Sequence, residues 1–228
     1  MAAVKVPKAP TKTPNFLTKE QYKELIRTID TYATIMESDA SISALLEETL
    51  GLQIDRNKYA NIREGEVRWL VNVITVACGT GLRSGEIRSM RWDWIDLNEG
   101  TITVQTTEDF TPKNGDDRTI YLSGDALEVL RRLHKDGRGL VFPGVHGEKV
   151  GKDYLNKRFR FFRELAKLPK AKNFHSTRHT DASWLVQAGV DIYRVQKLCG
   201  HRSMQTTMRY AHLAPKNLRD AVEMAFGV

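Results

Sequence analysis

The chain has 228 residues, is 41% hydrophobic and 28% charged, and carries 35 Lys and Arg against 28 Asp and Glu, a formal net charge of +7. That is enough chain for one large domain with a sizeable core, and it argues against both disorder and a disulfide-stapled miniprotein. Cys78 and Cys199 lie far apart with no CxxC spacing, so they read as buried free thiols rather than a structural disulfide or a metal site.

Residues 1–15, with Pro7, Pro10 and Pro14 among Lys and Ala, read as a linker-like segment. No continuous apolar run follows, so a secretory signal is not expected and a reducing, cytoplasmic setting is. The longest strongly apolar stretch, 69–78, falls short of the roughly 20 residues that cross a bilayer, and no membrane span is expected.

Thr18, three residues before Gln21, is a capping-box signature that opens an amphipathic helix through about residue 29. A second helical pattern covers 41–50 and stops at Gly51. A third runs 64–77 with Trp69, Leu70, Val73, Ile74 and Ala77 inward. Between residues 95 and 123 the period changes to alternation. Residues 101–105 and 118–122 read as strands of a small antiparallel sheet, joined by the turn-rich 112–116. Helical patterns resume at 125–134, 152–166, 176–187, 192–198, 204–212 and 215–225, with Gly189 and Gly200 as stops between them. The expected fold is mainly α with a small antiparallel β-sheet.

Charge is unevenly spread along this plan. Residues 157–219 hold 14 Lys and Arg against three acids, whereas 30–66 hold eight acids against three bases. A positive excess of that size can neutralise a phosphate backbone and release its counterions. It can equally be a solvated surface, and charge alone does not decide.

Three segments place polar groups where a simple core would not. In Thr80-Gly81-Leu82-Arg83-Ser84-Gly85-Glu86, Arg83 lies on a glycine-flanked turn at the mouth of a helix, where backbone can approach an anion closely. In His175-Ser176-Thr177-Arg178-His179, His175 and Arg178 are three apart on a helix and can reach one ligand, a guanidinium forking onto phosphate oxygens beside an imidazole able to trade a proton. In the third, Leu198 to Leu213, Gly200 ends one helix, Ser203 caps the next, and Tyr210 follows His201 by nine residues. A phenol with a pKa near 10 needs a base or nearby cations to act as a nucleophile. Each segment alone also fits an ordinary turn, helix start or amphipathic face.

Together, TGLRSGEI, HSTRH and LCGHRSMQTTMRYAHL, in that order, resemble the tyrosine recombinase family, the integrases of temperate phages and mobile elements. The resemblance covers roughly residues 16–228 and implies a catalytic domain over 16–214 with a tail helix at 215–228 that packs either on a neighbouring subunit or back in cis. It implies that Arg83 and Arg178 are the two catalytic arginines, His175 and His201 the site histidines, Tyr210 the nucleophile and Glu86 a supporting residue. Lys113, in the turn between the two strands, takes the place of the family's lysine, with Lys149 and Lys152 as fallback candidates. The acidic stretch 31–63 is longer than the usual family connection.

The activity implied is site-specific recombination, in which DNA is cleaved and rejoined through a 3′-phosphotyrosyl intermediate without cofactor or metal. The implied partner is double-stranded DNA bearing an attachment site, bound by a homo-tetramer in a bacterial cytoplasm with accessory DNA-bending proteins. Two other readings remain at this point, a type IB topoisomerase that only relaxes DNA and a DNA-binding module without chemistry.

Overall fold

The structure, a computed structural model, describes residues 14–37, 64–112, 117–134 and 137–215 together with positions 44, 48 and 51. Residues 1–13, the greater part of the helix expected at 41–50 and of the acidic stretch, the turn 113–116 with Lys113, and the tail beyond 215 lie outside the described residues.

Helix α1 (Lys19–Glu37) starts where the sequence signals it. Thr18 Oγ1 accepts from the Gln21 N–H and Gln21 Oε1 from the Thr18 N–H, each at 3.2 Å, a reciprocal cap on donors that a helix start leaves open. The helix continues past the expected end at residue 29 because its next turn is buried. Tyr32 packs edge-on against Phe161 and Phe162, and Ala33 lies beside it in the core.

Helix α2 (Glu64–Cys78) is followed by α3 (Ser84–Ser89), a 3-10 turn (Trp92–Trp94), β1 (Ile95–Asp96), β2 (Thr101–Val104), β3 (Arg118–Tyr121) and α4 (Gly124–Leu133). Helices α5 (Tyr154–Leu165), α6 (Ser176–Gln187), α7 (Ile192–Leu198) and α8 (Met204–Met208) and a second 3-10 turn (Ala211–Leu213) complete the described order. Helix α2 is central. Val67, Leu70, Val73, Ile74, Val76 and Ala77 are all buried, which its long apolar run permits, and α1, α4 and α6 pack around it. The three strands form one antiparallel sheet in the order β1-β2-β3, with Ile102 opposite both Ile95 and Ile120. Ile102, Val104 and Ile120 face the core, while Thr103 and Thr119 pair their hydroxyls at 3.2 Å on the other face. The fold is therefore mainly α with a small antiparallel sheet, one strand larger than the sequence pattern indicates.

A second, smaller apolar cluster joins α6, α7 and the end of the described chain: Ala182, Val186, Val195, Cys199 and Tyr210. Here the structure corrects one expectation. The pattern 204–212 is not a single helix, since α8 stops at Met208 and Tyr210 lies on the turn before the 3-10 segment, its N–H reaching back three residues to Thr207 O at 2.9 Å. Turning inward lets the ring enter the apolar cluster, which a continued helix does not achieve. Both cysteines are buried free thiols, as expected.

The entry to α1 is bolted onto α6. The Leu17 N–H donates to Thr180 Oγ1 at 2.9 Å, Trp184 Nε1 donates to Leu17 O at 3.1 Å, and the Leu17 side chain is fully buried.

Candidate active site

The site begins at the turn that ends α2. Gly81 adopts φ +60°, a left-handed conformation that strains other residues, and a Cβ there would come 2.3 Å from Asp181 Oδ2. This tight turn delivers Arg83 to the N-cap of α3 in an extended conformation. Glu86, buried to 2% exposure, fixes it: Oε2 accepts the Arg83 backbone N–H at 2.7 Å and Oε1 pairs with Arg83 Nη1 at 3.1 Å. Glu86 Oε2 also takes Arg118 Nη2 at 2.7 Å. Burial by itself pushes the Glu86 carboxyl up, yet Arg118 beside it, then Arg83, hold it below its ordinary value.

Arg178, on the first turn of α6, ties three distant segments together. Its Nη1 donates to Gly81 O at 2.5 Å and its Nη2 to Cys199 O at 2.7 Å, with the side chain 4% exposed. These bonds orient the guanidinium and leave its other N–H groups for a ligand. Burial, and then the Arg83 charge, pull its proton affinity down, although a guanidinium stays charged throughout.

Tyr210 meets two imidazoles. Its hydroxyl lies 2.6 Å from His179 Nδ1, and its ring stacks nearly parallel to His201, 6.1 Å between centroids at 7°. His201 in turn bonds Thr207 Oγ1 through Nδ1 at 3.0 Å. His175 occupies the N-cap position of α6, is exposed, and sets its ring edge-on to His179 at 4.9 Å. Burial pushes the Tyr210 phenol up to about 12, Cys199 adding to this and Arg209 and Arg178 opposing it. His179 falls to about 4 through burial, then through the charges of His175, Arg209 and Arg178, and His201 to about 3 through burial and the nearby arginines. Both imidazoles are neutral at pH 7, so in the tautomer with its N–H on Nε2 His179 accepts the phenol proton through Nδ1.

These shifts give a pH dependence of stability with a definite sign. Below the ordinary histidine pKa near 6.5 the unfolded chain protonates at residues 179 and 201 while the folded chain does not, so the folded state is progressively disfavoured as pH falls. Buried Asp181, raised to about 6 mainly by desolvation, works the other way, since between roughly pH 4 and 6 the folded chain holds a proton that the unfolded chain releases. Two histidines outweigh one aspartate, and the melting temperature should fall from pH 7 to pH 5. Calorimetric scans that show a constant or rising melting temperature over that interval would contradict neutral His179 and His201.

The structure thus gathers Arg83, Glu86, Arg178, His201 and Tyr210, from three separated segments, into one cluster joined by hydrogen bonds, a ring stack and mutual charge effects. Two residues of this cluster escape sequence reasoning. His179, not His175, is the group found on the phenol, and its only local signal is a place in the HSTRH run one helical turn after His175. Arg118 opens a strand and carries no signal at all. Lys113 lies outside the described residues. Of its fallbacks, Lys149 donates to Asp109 O at 3.2 Å and covers the Phe110 ring, and Lys152 is exposed. A polar groove lined by Asn156, Lys157, Arg160, Asn173 and His175 adjoins the cluster at its His175 edge.

Residues 15–217 match the model of the phage integrase family. The chain is 29% identical over 189 residues to a probable integrase/recombinase protein of Methanocaldococcus jannaschii, covering 78% of this chain and 54% of that protein. It is 28% identical over 220 residues to tyrosine recombinase XerA of Pyrococcus furiosus, covering 88% of this chain and 74% of that one. Its fold is similar to the XerH site-specific recombinase crystallised with a palindromic difH substrate as a post-cleavage complex, with a TM-score of 0.61 at 21% identity over 96% of this chain and 56% of that one. The chain therefore spans between about half and three quarters of the length of these proteins.

Proposed function

The chain belongs to the phage integrase family, and on that premise we propose that it carries the catalytic machinery of a site-specific DNA recombinase, with Tyr210 as nucleophile. The observation that carries this reading is the 2.6 Å contact from the Tyr210 hydroxyl to a neutral His179 within a cluster that includes Arg83, Arg178 and His201. A phenol within hydrogen-bond reach of a neutral imidazole, beside fixed cations, is equipped for attack on phosphorus once that ring presents a bare Nδ1.

In the proposed reaction the Tyr210 oxygen bonds to phosphorus, the bond from phosphorus to the deoxyribose 5′-oxygen breaks, and the phenol proton passes to His179. His175, exposed and edge-on to His179, offers the onward route for that proton. Arg83 and Arg178 neutralise the non-bridging oxygens. If Thr207 donates to His201 Nδ1, the ring's N–H is on Nε2, available as a further donor to phosphorus-bound oxygen. Lys113 is proposed to protonate the leaving 5′-oxygen. The product is a 3′-phosphotyrosyl link, which the hydroxyl of a partner strand attacks in the reverse sense to rejoin DNA without external energy. Exchange between two duplexes breaks four strands and so calls for four such tyrosines, which favours a homo-tetramer on DNA with a tail segment available for contacts between copies.

The test uses a pool of randomised duplexes, each nicked near its centre so that cleavage is trapped. The chain should form an SDS-resistant adduct whose phosphorylated peptide contains Tyr210. An adduct mapping to another residue, or none with any sequence in the pool, would overturn the proposal.

The basic groove along α5 and the positive excess after residue 156 give a second expectation. With on the order of 6–10 phosphates contacted, affinity for duplex DNA should fall about 10³–10⁵-fold between 50 and 200 mM salt. A nearly salt-independent affinity, measured by anisotropy, would mean that this face does not track the backbone.

A further inference from the structure

Arg118 opens β3 opposite Val104, outside every segment that suggested chemistry. Its side chain is 15% exposed, and one Nη2 bond to Glu86 is its ion pair. Its Nε and Nη1 are buried with no hydrogen-bond partner among the described residues. As a stability device this is a poor arrangement, because Glu86 is already paired with Arg83 and unpartnered buried N–H groups carry their full desolvation cost.

The same guanidinium arm also lies hard against the chain at Gly200. Gly200 adopts φ +59°, and a Cβ there would come 2.4 Å from Arg118 Nε and 2.6 Å from Cδ. Gly200 leads directly into His201. Arg118 thus touches the carboxylate that fixes Arg83 on one side and the backbone that fixes His201 on the other. Its charge is felt by both Arg178 and His201.

On the reading of this pocket as a phosphodiester-cleaving site, we propose that Arg118 is a positioning residue that spaces Arg83 and His201 for a single phosphoryl group by bridging Glu86 to the Gly200–His201 corner. A guanidinium suits the task because it is planar and forked, so it can hold the carboxylate with one nitrogen while its flat stem packs on a glycine. Lysine keeps the charge but has neither the fork nor the flat surface.

The experiment measures single-turnover adduct formation by the full chain on a nicked duplex recovered from the randomised pool, with DNA affinity and melting temperature measured alongside. Arg118→Gln should slow cleavage about 10²-fold with affinity nearly unchanged, and Arg118→Lys should recover little of that loss. Acting in part through Arg83, Arg118→Gln should add clearly less than its own factor to the loss already caused by Arg83→Lys, the remainder being its share in placing His201. A merely structural ion pair gives losses that multiply in the double variant, and that outcome, or wild-type cleavage by Arg118→Gln, overturns the inference. Should Arg118→Gln fail to fold, Arg118→Lys in the same cycle decides the matter. Failure of the underlying catalytic reading is separately recognisable, because the wild-type chain then forms no adduct at all, and the inference falls with it.

Discussion

Tyr210→Phe should bind duplex DNA within about twofold of the wild-type chain and form no covalent adduct. The ring belongs to the cluster of Ala182, Val186, Val195 and Cys199 and is 2% exposed, so phenylalanine preserves the packing and the stack on His201. What disappears is one oxygen and its bond to His179, a net stability loss of about 1 kcal/mol. Thr207 Oγ1, the hydroxyl bonded to His201 in this cluster, is fully buried and belongs to an aliphatic alcohol, a far weaker acid than a phenol. Cleavage should therefore fall below detection, whereas an impaired fold reduces binding and cleavage together. The assay is SDS gel analysis of a radiolabelled nicked duplex beside an anisotropy titration. Persistent adduct in the variant would place the nucleophile elsewhere.

Arg178→Lys should reduce cleavage by about 10²–10³ with a much smaller effect on binding, since a cation aimed at developing phosphoryl charge contributes most in the transition state. The geometry sharpens this expectation. Arg178 holds Gly81 O and Cys199 O with two different nitrogens, and a lysine ammonium cannot span both carbonyls and also reach a phosphate. Alanine is the less informative substitution. It leaves two buried carbonyls without their donor, at about 1–3 kcal/mol each, and confounds lost chemistry with lost structure. Equal losses of binding and cleavage in Arg178→Lys would count against the transition-state role.

The features legible in the sequence were those set by local chemistry. The Thr18 and Gln21 cap, the burial of the α2 stripe, and the glycine turn before Arg83 each follow from residues close together in the chain. Motif order singled out the other proposed site residues, because Arg83, Arg178, His201 and Tyr210 lie in runs that resemble a family. Contacts across long separations were not legible. His179 and Tyr210 are 31 residues apart, and no pattern in either segment says that the histidine after Arg178, rather than the one before it, receives the phenol. Arg118 and Glu86 are separated by 32 residues, and the strand period that located β3 is silent about what its first side chain touches. The helix drawn through 204–212 failed for a related reason. Its residues are adequate helix formers, and the chain leaves the helix at Arg209 because Tyr210 gains more from the apolar cluster than from another turn. Strand β1, two residues long, is below what alternation can reveal.

The attachment of Leu17 to α6 has a mechanical meaning. Both its backbone polar groups terminate on the helix that carries Arg178 and His179, and Asn15 and Phe16 just ahead of it bond to Ala171 and Lys172 in the approach to that helix, so a load entering at residue 14 reaches these anchors before α1. Whatever is fused there, a tag or a neighbouring domain, would pull on a lever rather than trail from a loose end. Trimming the polypeptide past Leu17 would remove a latch from the helix that carries Arg178 and His179, although none of the proposed site residues had been altered.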